Sequence, residues 1–380
     1  MGIKNLHNIL RKVCPQVYNT VPLTKYAFKK VAIDLSIFMC KYKTSFGANW
    51  LDAFLQMITV LRYHDIHFVI VYDSKAPPEK DNERKQRSEA RAKSRLRVDK
   101  LQEAWDAYRT AHADTVRLST DMFRDEDEQL YGFIQKVTEQ DKDFSPSKIE
   151  NELVRMRQSL LSIKAEDFDL TKELFRICGV PVHIAAGEAE ASCSALNRQG
   201  FVSAVLTDDT DVLAYGAPTM LCKIDWSTNT CIEIDYQEIL TELRMTPAEF
   251  LDLCILCGTD YNSNIPKVGC DKSLKLIQQY RRIENIEEAL PTYDYSILNY
   301  KRVRELFLTP LDFEQDVAPF CDFPDKARLV EFCFTHNCKH DIHQLVRACY
   351  VSQFHEFDVG DEDVVAEEKQ KNKNLLLTNK

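Results

Sequence analysis

The amino-acid sequence predicts an α/β fold with a mostly parallel central sheet covered by helices on both faces. Two observations predict it. Over the first two-thirds of the 380 residues, β-branched apolar runs alternate with helical stretches. The runs are continuously apolar rather than alternating, as expected of strands buried on both faces. KKVAIDLS (29–36) is the first run, followed by a helical stretch around Trp50–His64, and HFVIVYD (67–73) is the second. VPVHIA (180–185), a helix from about Glu188 to Arg198 and SAVLTDD (203–209) continue the alternation. LCKIDW and CIEIDY, split by STNT, predict a hairpin at the edge of the sheet. Thr246-Pro247-Ala248-Glu249 is a capping box with Pro at the first helical position, so a helix starts at about Pro247. A second helix, about Asp271–Tyr280, follows a turn around Gly269, and helices are expected to about residue 350. Residues 106–148 are polar and acid-rich and read as an insertion rather than core. From Glu356 onward aromatics vanish and acids cluster, which predicts a disordered tail.

Composition narrows the classes. The chain is 44% apolar and 28% charged, as globular proteins are. No run approaches the roughly 18 apolar residues of a membrane helix. MGIKNLHNIL carries no signal-peptide pattern, and Leu6 occupies the position where myristoylation requires Ser or Thr. An intracellular protein is expected. Thirteen cysteines without disulfide-like spacing are expected to be reduced. Cys254 and Cys257 form a CxxC without a second pair. Cys333, His336, Cys338, His340 and His343 are denser, but helix packing is preferred over zinc for both groups.

The net charge of −10 argues against a nucleic-acid binder, yet its distribution reverses that inference. Residues 80–100 hold nine basic side chains against four acidic ones, giving +5 locally and −15 elsewhere. Local field, not total charge, attracts a phosphate backbone.

The acids fall where an α/β sheet builds sites, outside the carboxyl ends of its strands. Asp34 ends the first run and Asp73 the second. Glu188 and Glu190 stand at a strand-to-helix junction. Asp208, Asp209 and Asp211 follow SAVL, and Asp260 follows FLDLCILCG. One such aspartate is usually a turn former or helix cap. A cluster from four segments is different, because gathered carboxylates repel and raise one another's pKa unless cations compensate. Oxygen donors without histidine suit Mg²⁺, with Mn²⁺ as a substitute, and a pair of such ions can promote phosphoryl transfer to water. On a helix, Lys80, Arg84, Arg87, Arg91 and Arg95 fall within a stripe of roughly 80°. Starting seven residues after Asp73, the stripe is expected to begin over the acid rim. Lys80 and Arg87 are then placed to grip a scissile phosphate, and the remainder to track the strand.

These residues in this order resemble the flap endonuclease branch of the XPG family of structure-specific 5′ nucleases. The resemblance runs from MGIKNL through VAIDLSIF, VYDSKAPP, KQRSEARA and GVPVHIAAGEAEASCSAL to TDDTDVLAYGAP and DLCILCGTDYNSNIPKVG. It implies a PIN-like nuclease core, a helical arch or cap and a helix–two-turn–helix C-terminal region. It implies two divalent ions held by Asp34, Asp73, Glu188, Glu190, Asp209, Asp211 and Asp260, some through water. Lys80 and Arg87 match the catalytic arch cations, with Asp209 grouped among the catalytic residues, and Gly2 matches the N-terminal position near the active site. NIPKVG (264–269) matches the loop that binds duplex backbone and a potassium ion, which adds Lys267, Gly269 and Lys272 to Arg84, Arg91 and Arg95 as DNA contacts. The implied organisation is an N-terminal nuclease region (1–105), an acidic cap insertion (106–148), an internal nuclease region (149–245), the helix–two-turn–helix and C-terminal helices (246–350) and a tail (351–380).

The chain departs from the family pattern at several points. Cys40 replaces a base-stacking aromatic, leaving Phe38 or Tyr42 to substitute. The stretch from Lys43 to Trp50 is shorter than the family's wedge loop. Lys267 replaces the loop's first glycine. The C-terminus KNKNLLLTNK lacks a sliding-clamp peptide, which suits a monomeric large-DNA-virus enzyme acting without that contact. Localisation is then nuclear for a cellular eukaryote, cytoplasmic or virion for a virus. The expected activity is 5′-flap endonuclease and 5′→3′ exonuclease on DNA in replication, repair or recombination. A relative acting on RNA and a non-catalytic branched-DNA module are the alternatives.

Overall fold

The computed structural model describes residues 2–112, 118–123, 128–138, 143–313 and 317–350. The strands are β1 (Tyr18–Pro22), β2 (Lys30–Asp34), β3 (His67–Tyr72), β4 (Leu118–Ser119), β5 (Asp143–Phe144), β6 (Val182–Ile184), β7 (Ala204–Leu206), β8 (Thr219–Asp225) and β9 (Thr230–Asp235). The helices are α1 (Leu6–Val13), α2 (Leu35–Phe46), α3 (Trp50–Tyr63), α4 (Asp81–Ala111), α5 (Glu128–Thr138), α6 (Pro146–Ser159), α7 (Ala165–Ile177) and α8 (Ala189–Arg198). They continue with α9 (Asp211–Ala214), α10 (Tyr236–Leu243), α11 (Pro247–Cys257), α12 (Cys270–Tyr280), α13 (Ile283–Ala289), α14 (Tyr300–Leu308), α15 (Lys326–Thr335) and α16 (Ile342–Tyr350).

Continuous apolar runs become the middle of a seven-stranded sheet ordered β1-β9-β8-β7-β2-β3-β6. From β8 to β6 every pairing is parallel, with Ile33 opposite Ile70 and Leu206. Val31–Asp34 of β2 and all of β7 are buried, as crossover helices on both faces require. The β8–β9 hairpin forms, but it is not the edge as expected. β1 pairs antiparallel outside β9, Tyr18 opposite Ile234 and Pro22 opposite Thr230. YNTVP escapes recognition because it is polar, mostly exposed and ends on a proline, features of an edge strand.

Two compact units result. One comprises the chain up to Phe38, Leu51–Ala76 and the part from Glu166 onward; the other comprises Met39–Trp50 and Pro77–Ala165. The first contains the sheet and its core, which includes Leu6, Leu213, Phe250 and Phe307. Its capping box at Thr246 forms with both hydrogen bonds, Glu249 N to Thr246 Oγ1 and Thr246 N to Glu249 Oε2. The second unit has its own core, in which Leu101, Trp105 and Tyr108 of α4 pack with Phe123, Phe133, Ile134, Phe144, Ile149 and Leu153. The polar stretch at 106–148 therefore contributes apolar side chains to a separate small core. Residues 351–380, expected to be a disordered tail, lie outside the described residues.

Candidate active site

The sheet delivers acids to its carboxyl edge because β2 ends in Asp34 and acids follow β3, β6 and β7 within a few residues. Asp34 is the last residue of β2 and is 2% exposed. Its Oδ2 accepts a hydrogen bond from Thr207 Oγ1 at 3.1 Å, while its Oδ1 is buried without a hydrogen-bond partner. Burial, then the charges of Asp73 and Asp209, push its carboxyl up to about 8, the response expected of crowded carboxylates in a dry site.

Asp73, just past β3, accepts from the Ala189 amide at 2.7 Å through Oδ1 and from the Ser36 hydroxyl through Oδ2. Ala189 opens α8, so Asp73 sits at a helix N-terminus, where unsatisfied amides favour negative charge. Glu188 caps that helix and Glu190 lies in its first turn. Glu188 Oε2 accepts from the Tyr261 hydroxyl, which lies 2.6 Å from the Tyr215 hydroxyl. Burial pushes the Tyr215 hydroxyl up, with Glu188, Asp211 and Glu190 adding to the shift. Asp209 takes its amide hydrogen bond to Thr207 Oγ1 at 3.1 Å, and its Oδ1 accepts from the Asp211 amide at 3.0 Å. Asp260, after α11, is buried next to Tyr261.

Gly2 meets this cluster directly. It has φ +80, and a Cβ there would collide with Asp209 Oδ1 and lie 2.7 Å from Asp211 Oδ1. Only glycine lets the start of the chain come so near.

Thus Asp73 and Asp209 both act on Asp34, Glu188, Glu190 and Asp211 act together on Tyr215, and Gly2 abuts Asp209 and Asp211. Among the described residues the acids do not close into a ready-made three-ligand cation cage. Sequence reasoning missed Thr207, Tyr215 and Tyr261, which bind or border these acids. Neutral hydroxyls after a strand or beside an acid carry no pattern of their own. Asp208 accepts from the Lys223 amide at 2.9 Å through Oδ1.

In the second unit the basic segment is helical as expected. Lys80 precedes α4, and Arg84, Arg87, Arg91 and Arg95 are exposed along it. Arg87 Nε pairs with Glu83 one turn earlier. Cys40 is exposed, but Phe38 and Tyr42, the expected substitutes for the missing stacking ring, are both buried. The ring that α2 leaves at the surface is Phe46, 52% exposed and edge-on to Tyr42.

The loop between α11 and α12 holds Lys267 at φ +65, where an L side chain is strained. Gly269 caps α12 at φ −92 with open space around its α-carbon. Lys272 Nζ donates to the Tyr293 hydroxyl at 2.5 Å. Cys254 and Cys257 are buried in α11, and His340 Nε2 lies 2.8 Å from Thr59 Oγ1.

A mostly parallel sheet with acids gathered at the carboxyl ends of its strands defines the PIN-like nuclease class. Comparison with known proteins sharpens this. Residues 1–94 match the XPG N-terminal domain and residues 179–260 the XPG I-region. A probable RAD2-like endonuclease of Invertebrate iridescent virus 6 is 31% identical over 332 residues, 81% of this chain and 79% of its own length. Flap endonuclease 1 of Drosophila grimshawi is 29% identical over 356 residues, covering 87% and 80% respectively. The catalytic core of Rad2 in complex with a DNA substrate superposes with a TM-score of 0.60 at 18% identity, covering 88% of this chain and 95% of that one. The chain belongs to the XPG family, with viral RAD2-like endonucleases and flap endonucleases among its relatives.

Proposed function

We propose that this protein is a structure-specific 5′ nuclease that hydrolyses DNA phosphodiesters at 5′ flaps and 5′ ends, leaving a 5′-phosphate, in replication, repair or recombination. The observation that carries the reading is Asp34, buried at the end of β2 with its carboxyl raised by burial and by the charges of Asp73 and Asp209 at adjoining strand ends. Such a group is unfavourable in isolation and useful when cations bind.

The donor set fits divalent ions of the Mg²⁺ or Mn²⁺ type. Every candidate donor is an oxygen, and Asp34 Oδ1 is a buried acceptor without a hydrogen-bond partner. Asp34, Asp73, Glu188, Glu190, Asp209, Asp211 and Asp260 are the residues to hold two such ions, directly or through water. Bound there, the ions supply Lewis-acid activation of water and charge neutralisation at the leaving oxygen. The chain's own groups do the remainder. The α8 amide at Ala189 fixes Asp73, Tyr261 fixes Glu188, and the Asp211 amide fixes Asp209, so the acids are oriented before substrate arrives. Lys80 and Arg87 take up negative charge on the scissile phosphate. Gly2, Arg84, Arg91, Arg95, Lys267, Gly269 and Lys272 are assigned to DNA backbone. Potassium on the 264–269 loop would rest on main-chain carbonyls, of which Ile265 O and Val268 O also accept from the Asn264 side-chain amide at 3.4 and 2.9 Å.

The test is incubation of 5′-flap, gapped and blunt duplexes with Mg²⁺, comparing wild type with Asp209→Ala. The variant is expected to lose at least ~10²-fold in rate, the scale of a critical electrostatic group. Equal cleavage by both proteins overturns the site.

A further inference from the structure

The connection between α11 and α12 carries Asp260 near its start and the loop 264–269 near its end. The two residues that bracket this connection both grip Lys4. Gly258, which ends α11, accepts from the Lys4 amide at 3.0 Å through its carbonyl. Cys270, the first residue of α12, donates from its thiol to the Lys4 carbonyl at 2.6 Å. Lys4 stands two residues from Gly2, a span of at most about 7 Å, and Gly2 abuts Asp209 and Asp211. We propose that Cys270 is a positioning residue for the nuclease: its thiol ties residues 2–4 to the base of the duplex-binding loop and so sets Gly2 against the acids. The proposal rests on the 5′-nuclease reading above.

Three features leave the clasp little slack. Ile3, between Gly2 and Lys4, is buried and shares a core with Ile265 and Val268 of the loop and with Cys257 and Cys270. Gly258 has φ +96, and a Cβ there would lie 3.2 Å from Lys4 Cδ, so the segment passes close over the end of α11. The thiol is itself held, because Cys257, the last residue of α11, shares a hydrogen bond with Cys270. The sulfur is thus fixed from α11 while it reaches Lys4 from α12.

Both backbone polar groups of Lys4 are therefore satisfied by the two ends of one connection. When phosphate settles on the loop between those ends, any shift of Cys270 relative to Gly258 acts on Lys4, whose amide is bound to one and whose carbonyl is bound to the other. Chain continuity carries the shift to Gly2, where a Cβ would lie 2.0 Å from Asp209 Oδ1. Contiguous contacts of this kind are the physical route by which one site biases another. A thiol is a weak donor, so its loss loosens the clasp without unfolding the core.

The experiment follows hydrogen exchange at the Lys4 amide of the full chain in EDTA, first without DNA and then with a 5′-flap duplex, which is not cut under these conditions. Cys270→Ala is expected to speed exchange at Lys4 about fivefold, the equivalent of one neutral hydrogen bond. Cys270→Ser, whose hydroxyl donates to the same carbonyl, is expected to stay within about twofold of wild type. Asp271→Asn, which deletes the exposed Lys12–Asp271 pair between α1 and α12, is expected to leave Lys4 unchanged. Duplex is expected to slow the exchange in wild type and in Cys270→Ser, and to have no such effect in Cys270→Ala. On Mg²⁺-loaded protein, Cys270→Ala is expected to lower the single-turnover rate about fivefold with duplex affinity within about twofold, and Cys270→Ser to restore the rate.

Unchanged Lys4 exchange in Cys270→Ala overturns the proposal. So does a serine variant as fast as the alanine one, which would assign the effect to packing, or an equal effect of Asp271→Asn. Equal protection by duplex in wild type and Cys270→Ala would also overturn it, since the loop would then act without the thiol. Failure of wild type to cut any flap would sink the nuclease reading instead, and the exchange measured without DNA would still decide whether the thiol holds Lys4.

Discussion

Around Asp34 the first unit crowds acids where water is scarce, whereas along α4 the second unit sets cations out in solvent. Asp34 is raised to about 8 by burial and by its neighbours. Arg84, Arg91 and Arg95 stand exposed on their helix. Charge in a low-dielectric pocket interacts strongly and penalises folding until a counter-ion arrives. Charge on an exposed helix is screened and contributes little to stability, but it remains available to a polyanion. The two regions therefore answer differently to mutation: removing a buried acid should trade activity for stability, and removing an exposed cation should reduce activity alone.

The largest effect that tests this contrast is at Asp34. Asp34→Asn retains an oxygen for the Thr207 hydroxyl but removes the carboxyl that folding must hold protonated at neutral pH. Without divalent ions at neutral pH, the variant is expected to be more stable by a few kcal/mol, on the order of the folding penalty of forcing such a carboxyl neutral. Its nuclease rate is expected to fall at least ~10²-fold. Thermal melting in EDTA beside a flap-cleavage assay measures both. A variant that melts lower would show that the acids are not in repulsion.

Arg87 probes the other side. Its partner Glu83 is a half-buried helical neighbour one turn away, and i,i+4 pairs on a helix contribute about 0.3–0.5 kcal/mol. Arg87→Ala is therefore expected to unfold within about 0.5 kcal/mol of wild type. Its single-turnover rate is expected to fall about 10²-fold, with only a few-fold weaker duplex binding. A pure binding defect would move Arg87 from the chemistry to the tracking stripe.

A smaller effect concerns a half-buried base rather than buried acids. His67 Nδ1 accepts from the Cys321 amide at 3.0 Å and lies 2.8 Å from Arg62 Nη1. Burial, then Arg62 and Lys30, lower its pKa from 6.5 to about 4. The folded pKa is depressed, so its stabilisation is fully present above pH 6.5 and is lost as pH falls toward 4. Between those limits the unfolded chain binds a proton that the folded chain refuses, a slope of at most about 1.4 kcal/mol per pH unit. His67→Gln should flatten that part of the melting curve against pH. An unchanged slope would assign it to other groups, such as His7, also lowered to about 4 chiefly by burial.

The same division explains what was legible in the sequence. β2, β3 and β7 announced themselves as unbroken apolar runs, and the acids at their ends were visible because a charge directly after such a run stands out. The capping box at Thr246 was legible because its spacing is fixed by two hydrogen bonds. β1 was not, since an edge strand with exposed polar residues shares its pattern with a loop. Nor was the core of the second unit, because Trp105, Tyr108, Phe123 and Phe144 are scattered among acids that dominated the composition. Tyr42 and Phe46 both lie on α2; which ring faces solvent depended on tertiary packing that local sequence does not encode. Tyr261 and Thr207 were hidden for a further reason, that a hydroxyl acquires meaning only from what it reaches.

Lys267 tests how far the exposed-cation argument extends. Its φ of +65 is a conformation that glycine adopts freely and an L residue holds at about 1–2 kcal/mol. If the strain is retained for a phosphate contact, Lys267→Gly should do two opposite things. Melting should rise by an amount equivalent to about 1 kcal/mol, offset in part by the greater freedom of glycine in the unfolded chain. Duplex affinity should fall, with the salt slope reduced by about 0.9, one phosphate contact on B-form DNA. A rise in stability with no change in salt slope would mean that the lysine touches no phosphate. In that case the exposed cations of the first unit, unlike those proposed along α4, are solvated surface and nothing more.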